Sequence, residues 1–219
     1  MNISREFFDI ADDPAAYAEK WKAEHGGAVV GYLCSYTPEE IIVAAGALPF
    51  RILGSGNTVS LADEHLQTYS CGLVRGALED ALAGRIDFLN GTVFPHTCDS
   101  IQRLSDIWRL NTRYGFHMDL VMPVKLQEKS AAVYMQNVID RFKNELAQAL
   151  GVEISEENLR EAVFTCNRIR QNLRKLYKVR KAAPDRLSSI ELHAVSMASM
   201  VMDRNELDEK LNLKDIELN

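Results

Sequence analysis

A parallel, doubly wound α/β sheet of four strands (flavodoxin- or Rossmann-like), followed by a helical segment, is the fold class predicted by three features of the sequence. Short apolar runs of strand length alternate with helical patterns through the first half of the chain, an order that implies right-handed crossovers. Several of these runs are apolar at consecutive positions, as in strands covered on both faces. After Val124 no further strand-like run occurs. A boundary near Gln127 therefore divides residues 1–126, an α/β domain with an N-terminal helix, from residues 127–219, a helical segment with an acidic tail.

The elements follow in order. Residues 4–24 read as one amphipathic helix with Phe7, Phe8, Ile10 and Trp21 as apolar points, stopped by Gly26 and Gly27. Residues 28–33 (AVVGYL) are the first strand. Thr37, Pro38 and Glu40 read as N-cap, first position and capping-box acid of a short helix ending at Gly46. The second strand spans 48–53, and the loop GSGN from Gly54 is a faint fragment of a phosphate loop for which a plain turn is the better reading. A helical region covers 63–83, with Cys71 inside it or at a break. The third strand lies within 86–94 and should stop at Pro95, which cannot donate to a ladder. Asp99 with Gln102 reads as a capping box for a helix over 99–110. The fourth strand is 116–122. Helices are then expected over 130–150, from Ser155 to about Arg180, and from a Ser188–Glu191 capping box onward.

The chain has 219 residues, 47% of them hydrophobic and 26% charged, with a formal net charge of -6. That size is enough for a core without disulfides or metals. The negative charge argues against nucleic acid as the main partner. No apolar run approaches the roughly 20 residues of a membrane span. The N-terminus has no signal-peptide pattern, so the chain reads as cytoplasmic and its four cysteines as thiols or metal ligands. A basic run contains Arg168, Arg170, Arg174, Lys175, Lys178, Arg180 and Lys181. It reads as a solvated helix face, or one paired with Glu206, Asp208 and Glu209; an acidic-cofactor or nucleic-acid surface is the other reading.

The functional reading of the α/β domain turns on what Cys98 is for. It falls in the turn between the third strand and the following helix, at the edge where open parallel sheets bind ligands. A helix N-terminus there favours a thiolate. Cys34 follows the first strand, so it should approach Cys98, and Cys71 joins them if its helix begins at the same edge. None belongs to a CxxC pair, so each also reads as a small buried hydrophobe. Cys166, in mid-helix, reads as packing. His96, two residues before Cys98, could tune a ligand or move a proton, against the plainer reading of a loop histidine meeting solvent or a carbonyl. His65, His117 and His193 carry no motif.

Several of these stretches resemble one family in one order. The run GYLCSYTPEEII from Gly31, the run AAGALP from Ala44, the run QTYSC from Gln67, and FLNGTVFPHTCDS from Phe88 are similar to the benzoyl-CoA reductase and 2-hydroxyacyl-CoA dehydratase subunits. Asn167-Arg168 and Leu173-Arg174 resemble the family's middle region, and the likeness covers residues 28–204. The resemblance implies an anaerobic enzyme subunit holding a 4Fe-4S cluster, with Cys71 and Cys98 as two thiolate ligands. It implies one-electron, ketyl-type chemistry on an acyl-CoA substrate, a second homologous subunit as partner, and an ATP-dependent activator iron–sulfur protein as electron donor. The family's third ligand comes from a second α/β domain. This sequence ends before one, so on the resemblance either Cys34 or a partner subunit supplies that thiolate, or the chain is a fragment or a degenerate paralogue. A basic patch such as Arg51, Arg75 or Arg103 would meet the anionic ester. The rival reading is a truncated non-catalytic paralogue or scaffold that pairs with a partner subunit.

Overall fold

The computed structural model describes residues 3–54, 56, 58–112 and 115–211. Four strands form one sheet, β1 (Val29–Tyr32), β2 (Leu48–Arg51), β3 (Gly91–Pro95) and β4 (Phe116–Leu120), in the order β2-β1-β3-β4. All neighbours are parallel; Tyr32 stands opposite both Arg51 and Val93, and Pro95 opposite Leu120. Pro95 closes β3 rather than lying beyond it. The ladder tolerates it because the next donor, His96 N–H, bonds the Leu120 carbonyl.

Alternation along the strands divides the apolar side chains between two layers. Val29, Leu33, Leu48, Phe50 and Phe94 belong to one cluster, with α4 (Gly72–Leu82) and α5 (Asp99–Asn111). Val30, Tyr32, Val93, Met118 and Leu120 belong to the other, with α3 (Glu39–Ala44) and α6 (Lys129–Leu150). The sheet is thus wound on both faces. The helices after residue 127 complete both layers. Phe142 and Leu146 of α6 pack with β4 residues, while Leu176 and Val179 of α7 (Glu156–Ala182) and Val195 of α8 (Ser189–Ala198) join the first cluster. The last strand ends at Leu120, and each hydrophobic cluster holds residues from both before and after residue 127.

The N-terminal helix is two helices, α1 (Arg5–Asp12) and α2 (Pro14–His25), because Asp13 caps Ala16 N–H and Pro14 cannot continue a preceding helix. The β2–α4 connection holds a short 3₁₀ turn at Ala62–Glu64, not a helix from 63. A buried carboxylate, Glu79 of α4, ties that connection down by accepting from Ser60 N–H and Ala62 N–H, both at 2.9 Å. Gly54 has a left-handed backbone, and a Cβ there would lie 2.9 Å from the Gly76 backbone of α4. Packing accounts for this glycine; Ser55 and Asn57 of the same loop lie outside the described residues. Edge strand β2 is blunted by Pro49 and by Arg51 N–H donating to the Met200 carbonyl. The expected caps at Ser155 and Ser188 are present, the second as a full capping box.

Candidate functional site

Crossover helices in this topology run antiparallel to the strands, so α3, α4 and α5 all begin at the C-terminal edge of the sheet. The strand order reverses between β1 and β3, where such folds bind ligands. Three cysteines lie on the loops at that rim. Cys34 follows β1, half-buried, with a left-handed φ of 55°. Cys71 precedes α4 and Cys98 precedes α5, and both thiols are free and exposed.

Cys71 and Cys98 hold the same structural position. Each is the N-cap of its helix, and neither side chain bonds a backbone N–H. Arg75 N–H and Gln102 N–H donate to the Cys71 and Cys98 carbonyls, both at 3.1 Å, as the first turn of a helix requires. The expected capping box therefore does not form: Asp99 is the first helical residue and Cys98 occupies the cap. The two helices pack against each other on one face of the sheet. Helix starts normally place Ser, Thr, Asp or Asn there, because an oxygen acceptor stabilises the end by about 1 kcal/mol. Two neighbouring helices both forgo that acceptor for sulfur. The donor chemistry suits a soft metal centre at two positions. Among the described residues, no group of three or more His, Cys, Asp or Glu side chains stands together to hold a metal ion, so Cys34 is not brought into a ready-made set with them.

The loop bearing Cys98 is tied to β4 at two points. One is the His96 N–H bond to Leu120; the other is the imidazole, whose Nε2 donates to Asp119 Oδ1 at 2.8 Å. His96 thus meets a carboxylate rather than solvent or a carbonyl. Asp119 also accepts from the Ser105 hydroxyl and from Arg109 Nη2 at 2.6 Å, and Ser105 Oγ lies 2.8 Å from His117 Nε2. Burial pushes the Asp119 carboxyl up, but hydrogen bonds from His117, Ser105 and His96 outweigh it and hold it well below the usual carboxylate range. His117 stacks on Phe94 with ring centroids 4.7 Å apart. This network escaped the sequence reading, although two spacings carried it: Ser105 and Arg109 are four apart on a helix, His117 and Asp119 two apart on a strand.

A second network fixes the loop bearing Cys34. Glu39, at the start of α3, accepts from Arg204 Nη2 at 2.6 Å, from Arg170 Nη2 at 3.0 Å and from the Tyr32 hydroxyl at 3.3 Å. Arg204 opens α9 (Arg204–Lys210) and is 2% exposed. Burial pushes the Glu39 carboxyl up, and the Arg204 charge and hydrogen bond, then Arg170, bring it below its ordinary value. The Thr37 cap does not form. Pro38 is the N-cap, the Thr37 carbonyl accepts Glu39 N–H, and the Thr37 hydroxyl is buried without a partner among the described residues. Cys166 is buried, and burial together with Glu39 and Glu40 pushes its thiol up to about 12, as suits a packing residue.

Of the three arginines that could meet an anionic ligand, Arg75 is engaged by Asp63 at 2.6 Å, Arg103 is exposed, and Arg51 ends β2 with a buried Nε that has no partner among the described residues. The basic run is partly spent within the fold: Arg168 pairs with Asp208, Arg170 with Glu39 and Glu40, and Arg180 with the Pro184 carbonyl and Ser189. Among the described residues no helix is long and apolar enough to cross a membrane.

Comparison with known proteins points to one group. Residues 34–218 match the family model described as 2-hydroxyglutaryl-CoA dehydratase, D-component. The chain is 28% identical over 197 residues to one of the subunits of benzoyl-CoA reductase from Thauera aromatica, covering 89% of this chain and 51% of that one. It is 30% identical over 203 residues to lactoyl-CoA dehydratase subunit beta of Anaerotignum propionicum, covering 91% and 53%. It is 26% identical over 218 residues to (R)-2-hydroxyglutaryl-CoA dehydratase subunit beta of Acidaminococcus fermentans, covering 99% and 57%. The chain spans about half the length of the curated relatives it matches.

Proposed function

The chain belongs to the 2-hydroxyglutaryl-CoA dehydratase D-component family, and from that premise we propose that it serves in an iron–sulfur subunit acting on acyl-CoA thioesters. The observation that carries the proposal is the pair of exposed N-cap thiols, Cys71 and Cys98, on neighbouring crossover helices. They are the ligands we assign to a 4Fe-4S cluster. Its net negative charge is offset by the partial positive charge of two helix N-termini. The third thiolate is Cys34 after a loop rearrangement, or comes from a partner or further domain. When bound, the cluster supplies one-electron reduction of the thioester carbonyl, the step common to dehydration and ring reduction.

The chain's own residues do the positioning. Asp119 and the Leu120 carbonyl hold the His96–Cys98 loop against β4. Glu39, clamped by Arg204 and Arg170, anchors the start of α3 behind Cys34. The relatives are named as subunits, which supports pairing with a homologous subunit. An ATP-hydrolysing activator iron–sulfur protein is the electron donor we assign.

Anaerobic reconstitution with iron and sulfide tests the reading. The wild-type chain should bind iron and show thiolate-to-iron absorption in the visible range, and Cys71→Ser and Cys98→Ser should each abolish it. A wild-type chain that stays colourless and iron-free both alone and together with a partner subunit would overturn the proposal and favour a scaffold.

A further inference from the structure

The one sequence motif not absorbed by the site is the cationic end of α7. Between Glu161 and Asp185 the chain holds no acidic residue, although the protein carries a net charge of -6. Within that stretch Arg174, Lys178 and Lys181 are exposed and make no hydrogen bond or ion pair to another described residue. At 100° per residue they fall with Tyr177 on one stripe of the helix. Tyr177 is 57% exposed, with its hydroxyl 3.4 Å from Ser196 Oγ. The opposite side, Leu176 and Val179, packs into the core, with half-buried Leu173 flanking the stripe.

The path of α7 brings it to the C-terminal edge of the sheet at Arg170, just before this stripe begins. Asn158 Nδ2 reaches the Ala44 carbonyl at the end of α3, and Arg170 reaches Glu39 and Glu40 at its start. The helix therefore runs along α3 towards the C-terminal edge of the sheet and arrives there at Arg170. Leu159 and Ala162 belong to the cluster on the α3 face, and Ile169, Leu176 and Val179 to the cluster on the α4–α5 face, so the helix contributes to both layers. Lys178 lies about 12 Å further along the axis.

An exposed aromatic ring flanked by unpaired cations has the chemistry that meets a phosphorylated nucleotide, the base on the ring and the phosphates on the ammonium and guanidinium groups. Every relative described above is named for a different acyl group on the same CoA carrier. Resting on the acyl-CoA reading, we infer that Arg174, Tyr177, Lys178 and Lys181 bind the 3′-phosphorylated ADP end of CoA, leaving the pantetheine arm to run back to the rim.

Calorimetric titration of the full chain with CoA, dephospho-CoA and pantetheine tests this. CoA should bind more tightly than dephospho-CoA, and its affinity should fall with salt. The triple variant Arg174→Gln/Lys178→Gln/Lys181→Gln should weaken CoA binding about tenfold, the sum of three exposed charge contacts. Tyr177→Ala should weaken it further, and pantetheine binding should not change. Unaltered CoA affinity in the triple variant, no CoA binding by the wild type, or tighter binding of an RNA or DNA oligonucleotide than of CoA would each overturn the inference. Iron loading of the same variants keeps the two proposals separate. The stripe contains no cluster ligand, so a chain that binds iron normally yet ignores these substitutions refutes only the nucleotide site.

Discussion

Replacing the cap cysteines with serine should move stability and iron content in opposite directions. Cys71 and Cys98 each sit at an N-cap with no side-chain bond to the helix. Their backbones, at φ -57° and ψ 141° for Cys71 and φ -160° and ψ 167° for Cys98, lie outside the helical region. Serine is close to isosteric with cysteine and can accept the N–H bond that sulfur leaves unmade. An N-cap hydroxyl is worth about 1 kcal/mol over a non-capping residue. Both side chains are exposed, so little packing is lost in exchange. Each metal-free variant should therefore be more stable than metal-free wild type by about 0.5–1 kcal/mol, or about 1–4 °C in melting temperature for a chain this size. Thermal unfolding by circular dichroism, without iron and under reductant, measures it. Destabilisation by more than about 1 kcal/mol in either variant would refute the reasoning, because it would make the cysteines packing residues.

Other perturbations follow from the two networks and the glycine contact. Glu39→Gln should cost about 3 kcal/mol in urea unfolding, because Arg204 is left buried beside a neutral amide; adding Arg204→Met should restore most of the loss. Asp119→Asn should remove about 2 kcal/mol at neutral pH by weakening the bonds from His96, Ser105 and Arg109. Because the Asp119 carboxyl is held low, its contribution is present above its ordinary pKa near 4 and is lost as the pH falls below it; the Asn variant should show a shallower decline there in acid titrations of stability. Gly54→Ala should cost about 2–4 kcal/mol in urea unfolding, since it adds left-handed backbone strain to a 2.9 Å clash with α4. Glu79→Ala should release the Ser60–Ala62 turn and speed limited proteolysis there.

The sheet was legible because its signal is local. Runs such as AVVGYL and GTVF are apolar at consecutive positions, and each became a strand sharing its residues between two clusters. The serine caps at 155 and 188 were legible for the same reason. Reading failed where a local rule competed with something distant or with function. The sequence offers Thr37 and Asp99 as caps, yet Pro38 and Cys98 take those places. At Cys98 the capping rule misplaces the helix start by one residue because sulfur occupies the position normally given to oxygen. The Glu39–Arg204 pair joins residues 165 apart, and His96–Asp119 joins a loop to an edge strand. Neither follows a periodicity, so only the folded topology reveals them. The Asp13–Pro14 break was visible as a proline but was overridden by a continuous amphipathic pattern.

Locating iron tests the central claim most directly. Crystals of the anaerobically reconstituted chain, measured at the iron absorption edge, should place the anomalous peak at the C-terminal rim of the sheet, bonded to the sulfurs of Cys71 and Cys98. Iron bound elsewhere, or the two sulfurs turned to opposite sides with no metal between them, would contradict it.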